Sequence, residues 1–357
     1  MKVYIKFISS VYFKSLFFVF FVIMSLVFIL NLLTELEFFK DENVKISFTL
    51  FLSLLNTPSL IYEIFPFIIL IATQLFFIKF FENKELDIFK YSGLKNSTIL
   101  IILSVLSLIT SIFIISAFYN LSSNLKNFYL ELKSNYTVDG KYLAVVTKNG
   151  LWIKDKVDNK IIITNSSLIK ENFLINNFIT EFDNNFNVIR NIQSDKIDIT
   201  ENNWVIKNSK IYQQNNYINE NETILKTNFN SERIQSLYSN LSSLGFYELY
   251  ELRKNYKKLN YSITDVDLHI YKILTNPIYL LLITIFASLI MFNIKQFKSS
   301  TLKITIGLFF SVIIYYLNNF SYVLGSTERI SLIFSIFFPL LILTIVNVFM
   351  LHRINEK

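Results

Sequence analysis

The sequence predicts an α-helical membrane protein with six transmembrane helices, three on each side of an inserted all-β domain. Hydrophobic residues make up 52% of the 357 residues and Phe alone occurs 37 times, which is far too apolar for one soluble domain. The apolar residues are concentrated in runs of about 20 residues, the length that spans a bilayer. Between the third and fourth runs lies a long polar interval whose short alternating segments are typical of strands.

Six apolar runs are long enough to be membrane spans. They cover residues 11–33, 60–80, 98–118, 277–294, 302–324 and 330–351. The first run is longer than a signal-peptide core of roughly 7–15 residues and no small-x-small site follows it, so we interpret it as a retained span. The chain is thereby divided into residues 1–118, 119–276 and 277–357.

Lysine and arginine in the short flanking segments predict the orientation. They precede the first span, separate the second from the third and the fourth from the fifth, and follow the sixth, at Lys2, Lys6, Lys14, Lys79, Lys84, Lys90, Lys95, Lys295, Lys298, Lys303, Arg353 and Lys357. Both termini are therefore predicted in the cytoplasm, and the long polar interval outside it. The net charge of +7 follows from this bias and does not require a nucleic-acid partner.

The polar interval begins with a helical extension of the third span over residues 122–133. Strands are predicted at residues 142–147, 151–154, 161–164, 174–182, 188–192, 197–200, 204–206 and 211–212. Their regular spacing without intervening helices favours an all-β sandwich or open jelly roll of roughly 100 residues. One sheet edge is predicted to stay open for strand addition by a partner. A helical stretch capped by Ser231 then leads back to the fourth span.

A charged segment between the second and third spans, residues 81–98, carries helix-ending signals that a simple loop does not need. Asn83 is the predicted N-cap and Gly93 suits a left-handed position after the last turn, which gives a helix over about residues 83–93. Because so short a helix is unstable alone, we expect a partner surface on the cytoplasmic side. The predicted contact residues are Glu82, Lys84, Glu85, Leu86, Phe89, Lys90 and Gly93. The alternative is a solvated helix that only connects two spans.

Known catalytic and metal-binding patterns are absent from the sequence. The two histidines, His269 and His352, have no second ligand at metal-binding spacing, and the six glycines form no phosphate-binding loop. We therefore predict that this chain binds no metal or cofactor and does not hydrolyse ATP itself. No span has a charge near its centre, which disfavours ion-coupled transport.

Polar side chains do occur near the outer ends of two spans. Asn31 and Glu35 belong to the first, and Tyr315, Asn318 and Asn319 belong to the fifth. Side chains of this kind either bond neighbouring helices to one another or line a cavity for an amphiphilic molecule. The sequence leaves both interpretations open.

The layout and several short motifs resemble the LptF/LptG (YjgP/YjgQ) family of lipopolysaccharide export permeases. Glu85-Leu86 followed by Ser92-Gly93-Leu94 is similar to the family's coupling-helix pattern, and residues 150–155 (GLWIKD) resemble the start of its periplasmic β domain. In the C-terminal half the similar positions are Pro277, Lys303, Gly307, Tyr316, Leu317, Asn318 and Pro339. The pattern is more like LptG than LptF.

The resemblance implies a multi-pass subunit of the bacterial inner membrane that works in an exporter of lipopolysaccharide. Its partners would be a second six-span, LptF-like permease and a cytosolic LptB-like ATPase dimer, which binds the ATP and magnesium. Periplasmic LptC- and LptA-like proteins would receive the lipid. The short helix would insert into a groove of the ATPase, and the first and fifth spans would form a lateral gate.

One departure concerns the outer end of the first span, where the family commonly carries basic residues and this chain has Asn31, Glu35 and Glu37. Either the lipid headgroup is less anionic or metal-bridged, or the phosphate contacts come from elsewhere. Two other function classes also fit the layout. One is a receptor or scaffold whose β domain binds an envelope ligand, and the other is a mechanotransmitting ATPase subunit that moves no lipid.

Overall fold

The computed structural model of the protein describes residues 3–40, 44–134, 136, 151–158, 160–170, 172–213, 216–231, 234, 240–258, 263–294 and 299–355. Its backbone contacts define two compact units, residues 1–126 with 264–357 and residues 127–263. These bounds differ from those predicted at 118 and 276 because the two helices that lead into and out of the insertion extend beyond their apolar runs.

The first unit is built from helices, and six helical segments have the length and composition of membrane spans, as predicted. In chain order the helices are α1 (Val3–Phe38), α2 (Ile46–Glu82), α3 (Glu85–Tyr91), α4 (Asn96–Phe113), α5 (Asn120–Ser134), α6 (Phe246–Lys258), α7 (Thr264–Asn293), α8 (Ser300–Ser326) and α9 (Leu332–Asn355). A π-helical segment, Ile114–Tyr119, joins α4 to α5 within the third span. Helix α6 belongs to the second unit.

Helices α2 and α7 are the most buried spans, and their neighbours are held to them partly by small polar side chains. Thr284 of α7 donates to the Ser107 hydroxyl of α4 at 2.7 Å, and Ser107 donates to the carbonyl of Leu280 at 3.2 Å. On another side of α7, the Asn347 amide of α9 donates to the Leu282 carbonyl at 3.0 Å. Since lipid competes with every apolar contact, such bonds help to select which helices meet.

The second unit contains one six-stranded antiparallel sheet. Its strands are β1 (Leu151–Val157), β2 (Lys160–Lys170), β3 (Phe173–Phe182), β4 (Val188–Asp198), β5 (Asn203–Gln213) and β6 (Asn216–Lys226), paired in sequential order. The inserted β domain is therefore confirmed, but its described strands form a meander without the Greek-key crossings of a complete jelly roll. The outer edges of β1 and β6 have no strand partner among the described residues.

Several strand boundaries differ from the prediction. Residues 188–192 and 197–200 belong mainly to one strand, β4, and residues 204–206 and 211–212 belong to β5, whereas β6 was not predicted. The strand predicted at 142–147 lies outside the described residues, as do residues 232, 233 and 235–239 of the helical stretch predicted after Ser231. Within that stretch, residues Leu241–Ser243 form a single 3₁₀ turn capped by the Asn240 side chain.

A crease across β3, β4 and β5 explains why two strands were each read as two. Along each half-strand every second residue is buried. At the middle of each strand the spacing between successive buried residues is three instead of two, as between Leu174 and Asn177, Ser194 and Ile197, and Ile206 and Ser209. At this level Asn176 and Asn208 have left-handed φ values of 52° and 51°. The alternation of buried and exposed residues shifts at the same level in all three strands, so the register between them is the same on both sides of the crease. The same face of the sheet thus stays buried on both sides of the crease.

Small polar residues line the inner side of the crease and bond with one another. Ser166 donates to Asn177 Oδ1 at 2.6 Å, the Asn177 amide donates to the Leu174 carbonyl at 2.9 Å, and the hydroxyls of Ser209 and Thr223 lie 2.7 Å apart. All of these side chains are buried. Because buried polar groups are costly only when they lack partners, this arrangement stabilises the bent sheet.

The two ends of the sheet are tied together after β6. The backbone N–H and the side-chain amide of Asn228 both donate to the buried Asp155 carboxylate of β1, each at 2.8 Å. The indole Nε1 of Trp204 donates to the Phe229 carbonyl at 2.7 Å. A residue that follows the last strand can reach the first strand only if the sheet curls. Asp155, the last residue of the GLWIKD motif, therefore stabilises the curvature.

The turn between β3 and β4 is organised by one carboxylate. Asp183 accepts hydrogen bonds from the Asn187 side chain at 3.0 Å and from the backbone N–H groups of Asn187 and Asn185, each at 2.8 Å. These bonds, first that of the Asn187 side chain, favour the charged form and lower the pKa of Asp183.

The crease can be tested at Asn208, because both tryptophans of the chain, Trp152 and Trp204, lie in the second unit and report only on it. We expect Asn208→Val to lower the free energy of unfolding of this unit by about 1–2 kcal/mol, since a β-branched side chain disfavours the left-handed conformation. Asn208→Gly is the matched control and should stay close to wild type. Denaturant unfolding of the full-length protein, followed by tryptophan fluorescence, measures both. Equal stability of the two variants would contradict the crease geometry.

Candidate coupling site and membrane gate

The short helix α3 follows α2 after a two-residue turn. Helix α2 continues to Glu82, so Asn83 ends α2 and does not cap α3, which corrects the predicted N-cap. The Asn83 amide instead donates to Glu85 Oε1 at 3.1 Å. Lys84 takes the left-handed conformation, with φ of 55°, that reverses the chain. The turn thereby fixes the direction of α3 relative to α2.

The end of α3 is the one that its sequence predicted. Gly93 has φ of +83°, its N–H donates to the Lys90 carbonyl, and the N–H of Leu94 donates to the Phe89 carbonyl, both at 2.9 Å. This is a Schellman motif, in which only glycine adopts the left-handed position without strain. The helix therefore stops at a defined residue, and the chain turns towards α4.

One face of α3 is buried against its own chain. Leu86 is 1% exposed and belongs to an apolar cluster with Ile8 and Phe80. The ring of Phe89 stacks on Phe80, with centroids 5.5 Å apart at 11°, and lies 5.9 Å from the ring of Phe7. These contacts hold α3 to the first residues of α1 and the last residues of α2. Leu86 consequently has no surface left to bury against another protein.

The opposite side of α3 is open to solvent. Ile88 is 60% exposed and Tyr91 is 93% exposed. An apolar groove of about 500 Å³ runs beside them, lined by Val3, Tyr4, Phe7, Glu85, Ile88, Phe89, Ser92 and Leu94. The groove places a carboxylate beside an otherwise apolar surface.

Glu85 is the polar element of this groove. Its Oε1 accepts the Asn83 amide, whereas its Oε2 is buried and has no hydrogen-bond partner among the described residues. A buried carboxylate oxygen without a partner is best stabilised by a hydrogen-bond donor from another molecule. Lys84 and Lys90 are both exposed beside it. Glu82, also predicted as a contact residue, instead accepts a hydrogen bond from Ser300 of α8 at 2.7 Å.

The polar residues predicted for the first span face α2. The Asn31 amide donates to the Ser53 carbonyl at 3.0 Å, and the Asn56 amide donates to Asn31 Oδ1 at 3.1 Å. Glu35 lies one turn further and is 1% exposed. Asn31 therefore joins two helices, which is the simpler of the two interpretations left open by the sequence.

The polar residues predicted for the fifth span differ among themselves. Tyr315 is partly buried, and its ring lies 5.3 Å from that of Phe67 in α2. Asn318 and Asn319 are partly exposed, and the described residues give neither amide a hydrogen-bond partner. These two side chains remain available to a ligand.

The structure does not bring the two polar sets into one pocket within this chain. Helix α1 lies on α2 and α4, and helix α8 lies on α2, α7 and α9. Both helices also expose a broad apolar surface, formed on α1 by Phe17, Phe18, Phe21, Val22, Leu26, Ile29, Leu30 and Leu33 and on α8 by Phe309, Phe310, Val312, Ile313, Tyr316, Phe320 and Val323. Within the described part of the sequence, no cluster of acidic, His or Cys side chains suits a metal ion.

The residues of α1 that line the groove could not be predicted from the sequence. Val3, Tyr4 and Phe7 are separated from α3 by the whole of α1 and α2, and no local pattern links them. The apolar residues beside Lys6 were the only available signal.

The comparisons with known proteins show the family of the chain. A family model described as "Lipopolysaccharide export system permease LptF/LptG" matches residues 6–353. No curated protein matches the chain. The matched range covers most of both units and includes the whole of α3.

The inward and outward faces of α3 should respond differently to truncation. Leu86→Ala removes a buried side chain at a cost of about 2–5 kcal/mol, so we expect α3 to detach and the amides of residues 85–91 to lose protection. Ile88→Ala, the matched control on the exposed face, should leave protection unchanged. Hydrogen exchange of the full-length protein, read by mass spectrometry, measures both variants. Unchanged exchange in Leu86→Ala would show that α3 is not anchored by this residue.

Proposed function

The chain belongs to the LptF/LptG family of lipopolysaccharide export permeases, and we propose on that basis that it is the transmembrane subunit of an ATP-driven exporter. In this proposal the exporter takes lipopolysaccharide from the inner membrane and passes it to a periplasmic bridge. Six apolar helices make this chain a multi-pass membrane protein. ATP and magnesium are assigned to a separate cytosolic ATPase dimer of the LptB type.

The observation that carries the proposal is the groove beside α3. An apolar cleft with a carboxylate oxygen that has no partner among the described residues suits a protein segment that inserts an apolar side chain and donates a hydrogen bond to Glu85. Helix α3 is fixed to α1 and α2 by Leu86 and Phe89, so a force applied to it reaches the spans directly. A solvated connector has no need of this anchoring.

The exposed faces of α1 and α8 support a second permease of the LptF type. Two chains that pair these faces would enclose a chamber between spans that are apart in one chain. Asn318, Asn319 and Tyr316 are the exposed or partly exposed polar groups of the fifth span at this surface. We assign them, with the outer end of α1, to the lateral gate for lipid.

The outer edge of β6 supports the transfer step. Among the described residues β6 has no strand partner on that edge, and it exposes both faces over most of its length. Main-chain pairing of an added strand would extend the curled sheet into a partner of the LptC or LptA type.

The ATPase contact can be tested at Glu85. Glu85→Lys puts a charge of the wrong sign into the groove, so we expect weaker association with the ATPase and a loss of lipid extraction of tenfold or more, by analogy with desolvated charge contacts of about 2–5 kcal/mol. The same charge reversal at exposed Glu201, in the turn between β4 and β5, is the matched control. Co-purification of the ATPase and lipid extraction from proteoliposomes are the measurements. Full extraction by Glu85→Lys would remove the coupling role from α3.

The topology can be tested with single cysteines, because the native chain contains none. Trp152 is 54% exposed and Tyr91 is 93% exposed, whereas Trp204 is too buried to be a useful position. We expect a membrane-impermeant thiol reagent to label Trp152→Cys from the periplasmic side and to label Tyr91→Cys only after permeabilisation. The reverse pattern would invert the orientation and place α3 on the wrong side for an ATPase.

A further inference from the structure

The cytoplasmic half of α8 is joined to the cytoplasmic end of α2 along a seam of three contacts. Ser300 donates to Glu82 Oε1 at 2.7 Å, and Lys303 Nζ lies 4.9 Å from the centroid of the Phe81 ring. Two turns earlier in α2, the Gln74 amide donates to the Lys303 carbonyl at 3.5 Å. Gly307 completes the seam, since a Cβ at this position would overlap the Gln74 amide.

Lys303 is the unusual residue of the seam. It is 6% exposed, and among the described residues it forms no ion pair with a carboxylate. Its charge is placed against the face of Phe81, which is itself held 5.7 Å from the ring of Phe77. A buried cation is costly near a bilayer unless something compensates it, and an aromatic face does so in part.

The neighbours of α8 change along its length. In its cytoplasmic half the buried positions are Lys303, Gly307 and Ser311, which are spaced four residues apart. In its outer half they are Ser321 and Gly325, and Gly325 lies against Ser335 of α9. Within the described residues, it is therefore the cytoplasmic half of α8 that contacts Phe81 and Glu82, the last residues before the turn into α3.

From this we propose that Lys303 is a positioning residue that makes the cytoplasmic half of α8 move together with α3. Phe81 and Glu82 are the last residues of α2 in front of the turn that leads into α3. A displacement of α3 then reaches Phe81 and Glu82, and through Lys303 and Ser300 it reaches the fifth span. The inference rests on the proposed function, because α3 must be displaced by an ATPase for the link to matter.

The first test compares three variants in the complex reconstituted with its ATPase and second permease. Lys303→Met keeps the length of the side chain but removes the charge, and we expect the amount of lipid extracted per ATP hydrolysed to fall roughly three- to thirtyfold. Lys303→Arg keeps a cation over Phe81 and should restore the ratio. Lys95→Met, at an exposed cytoplasmic lysine, is the matched control for the change in net charge. A wild-type ratio in Lys303→Met would overturn the proposal.

The second test replaces the seam with a covalent bond. The variant is Lys303→Met with two further changes, Glu82→Cys and Ser300→Cys. Oxidation of the two cysteines to a disulfide should restore the amount of lipid extracted per ATP hydrolysed. Reduction of the same sample should lower it again. The yield of this disulfide should also be equal with and without ATP, because the two helix ends move as one. Two results contradict the proposal. One is a disulfide yield that changes with nucleotide, and the other is a disulfide that blocks lipid extraction when Lys303 is left unchanged.

The two levels of inference fail in different ways. If the complex with the native seam hydrolyses ATP but extracts no lipopolysaccharide, the proposed function is wrong, while the nucleotide dependence of the disulfide still decides the movement of α8. If that complex extracts lipid and Lys303→Met does so equally well, the proposed function stands and the role of Lys303 is wrong.

Discussion

The bilayer offers no hydrogen bonds to a polypeptide, and the rest of this structure depends on that constraint. The spans are helical because only a helix satisfies its own backbone in lipid, and they are apolar on nearly all sides, so hydrophobicity alone does not decide which helices meet. That choice is made by short polar contacts such as Thr284 with Ser107 and Asn347 with the Leu282 carbonyl. Helix α2, which touches α1, α7 and α8, becomes the common support of the membrane unit.

The same constraint limits what the outer end of the first span can do. Asn31 uses its amide on Ser53 and its carbonyl oxygen on Asn56, and Glu35 is buried one turn away. Neither supplies a positive charge for lipid phosphates. On the proposed function, contacts with phosphate must therefore come from other residues of the assembly, or the lipid must present a headgroup in which cations already balance the phosphates.

The spans were predictable from the sequence because membrane insertion depends on composition and length, which are local quantities. The sheet was only partly predictable. Its crease shifts the alternation of buried residues between Ser194 and Ile197, so a single strand gives two separate alternating patterns, and β6 is too polar along its exposed half to read as a strand.

The candidate site shows the same division between local and distant information. The charges around Glu85 and the glycine at position 93 were enough to place α3. They did not show that Leu86 faces the chain's own core, because that depends on Ile8 and Phe80, which belong to other helices. The seam through Lys303 was equally hidden, since Phe81 and Lys303 lie on helices that are distant in sequence.

On the proposed function, both spans of the gate are fastened, at the ends predicted to be cytoplasmic, to the same short stretch of chain. Phe89 holds the start of α1 through Phe7, and Phe81 and Glu82 hold the start of α8 through Lys303 and Ser300. Further out, the two spans separate onto different neighbours, with Asn31 of α1 bonded to α2 and Gly325 of α8 against α9. On the proposed function, a small displacement of residues 81–89 would therefore act on both helices at once. Their outer ends rest on different neighbours, which suits a gate that opens on one side of a membrane.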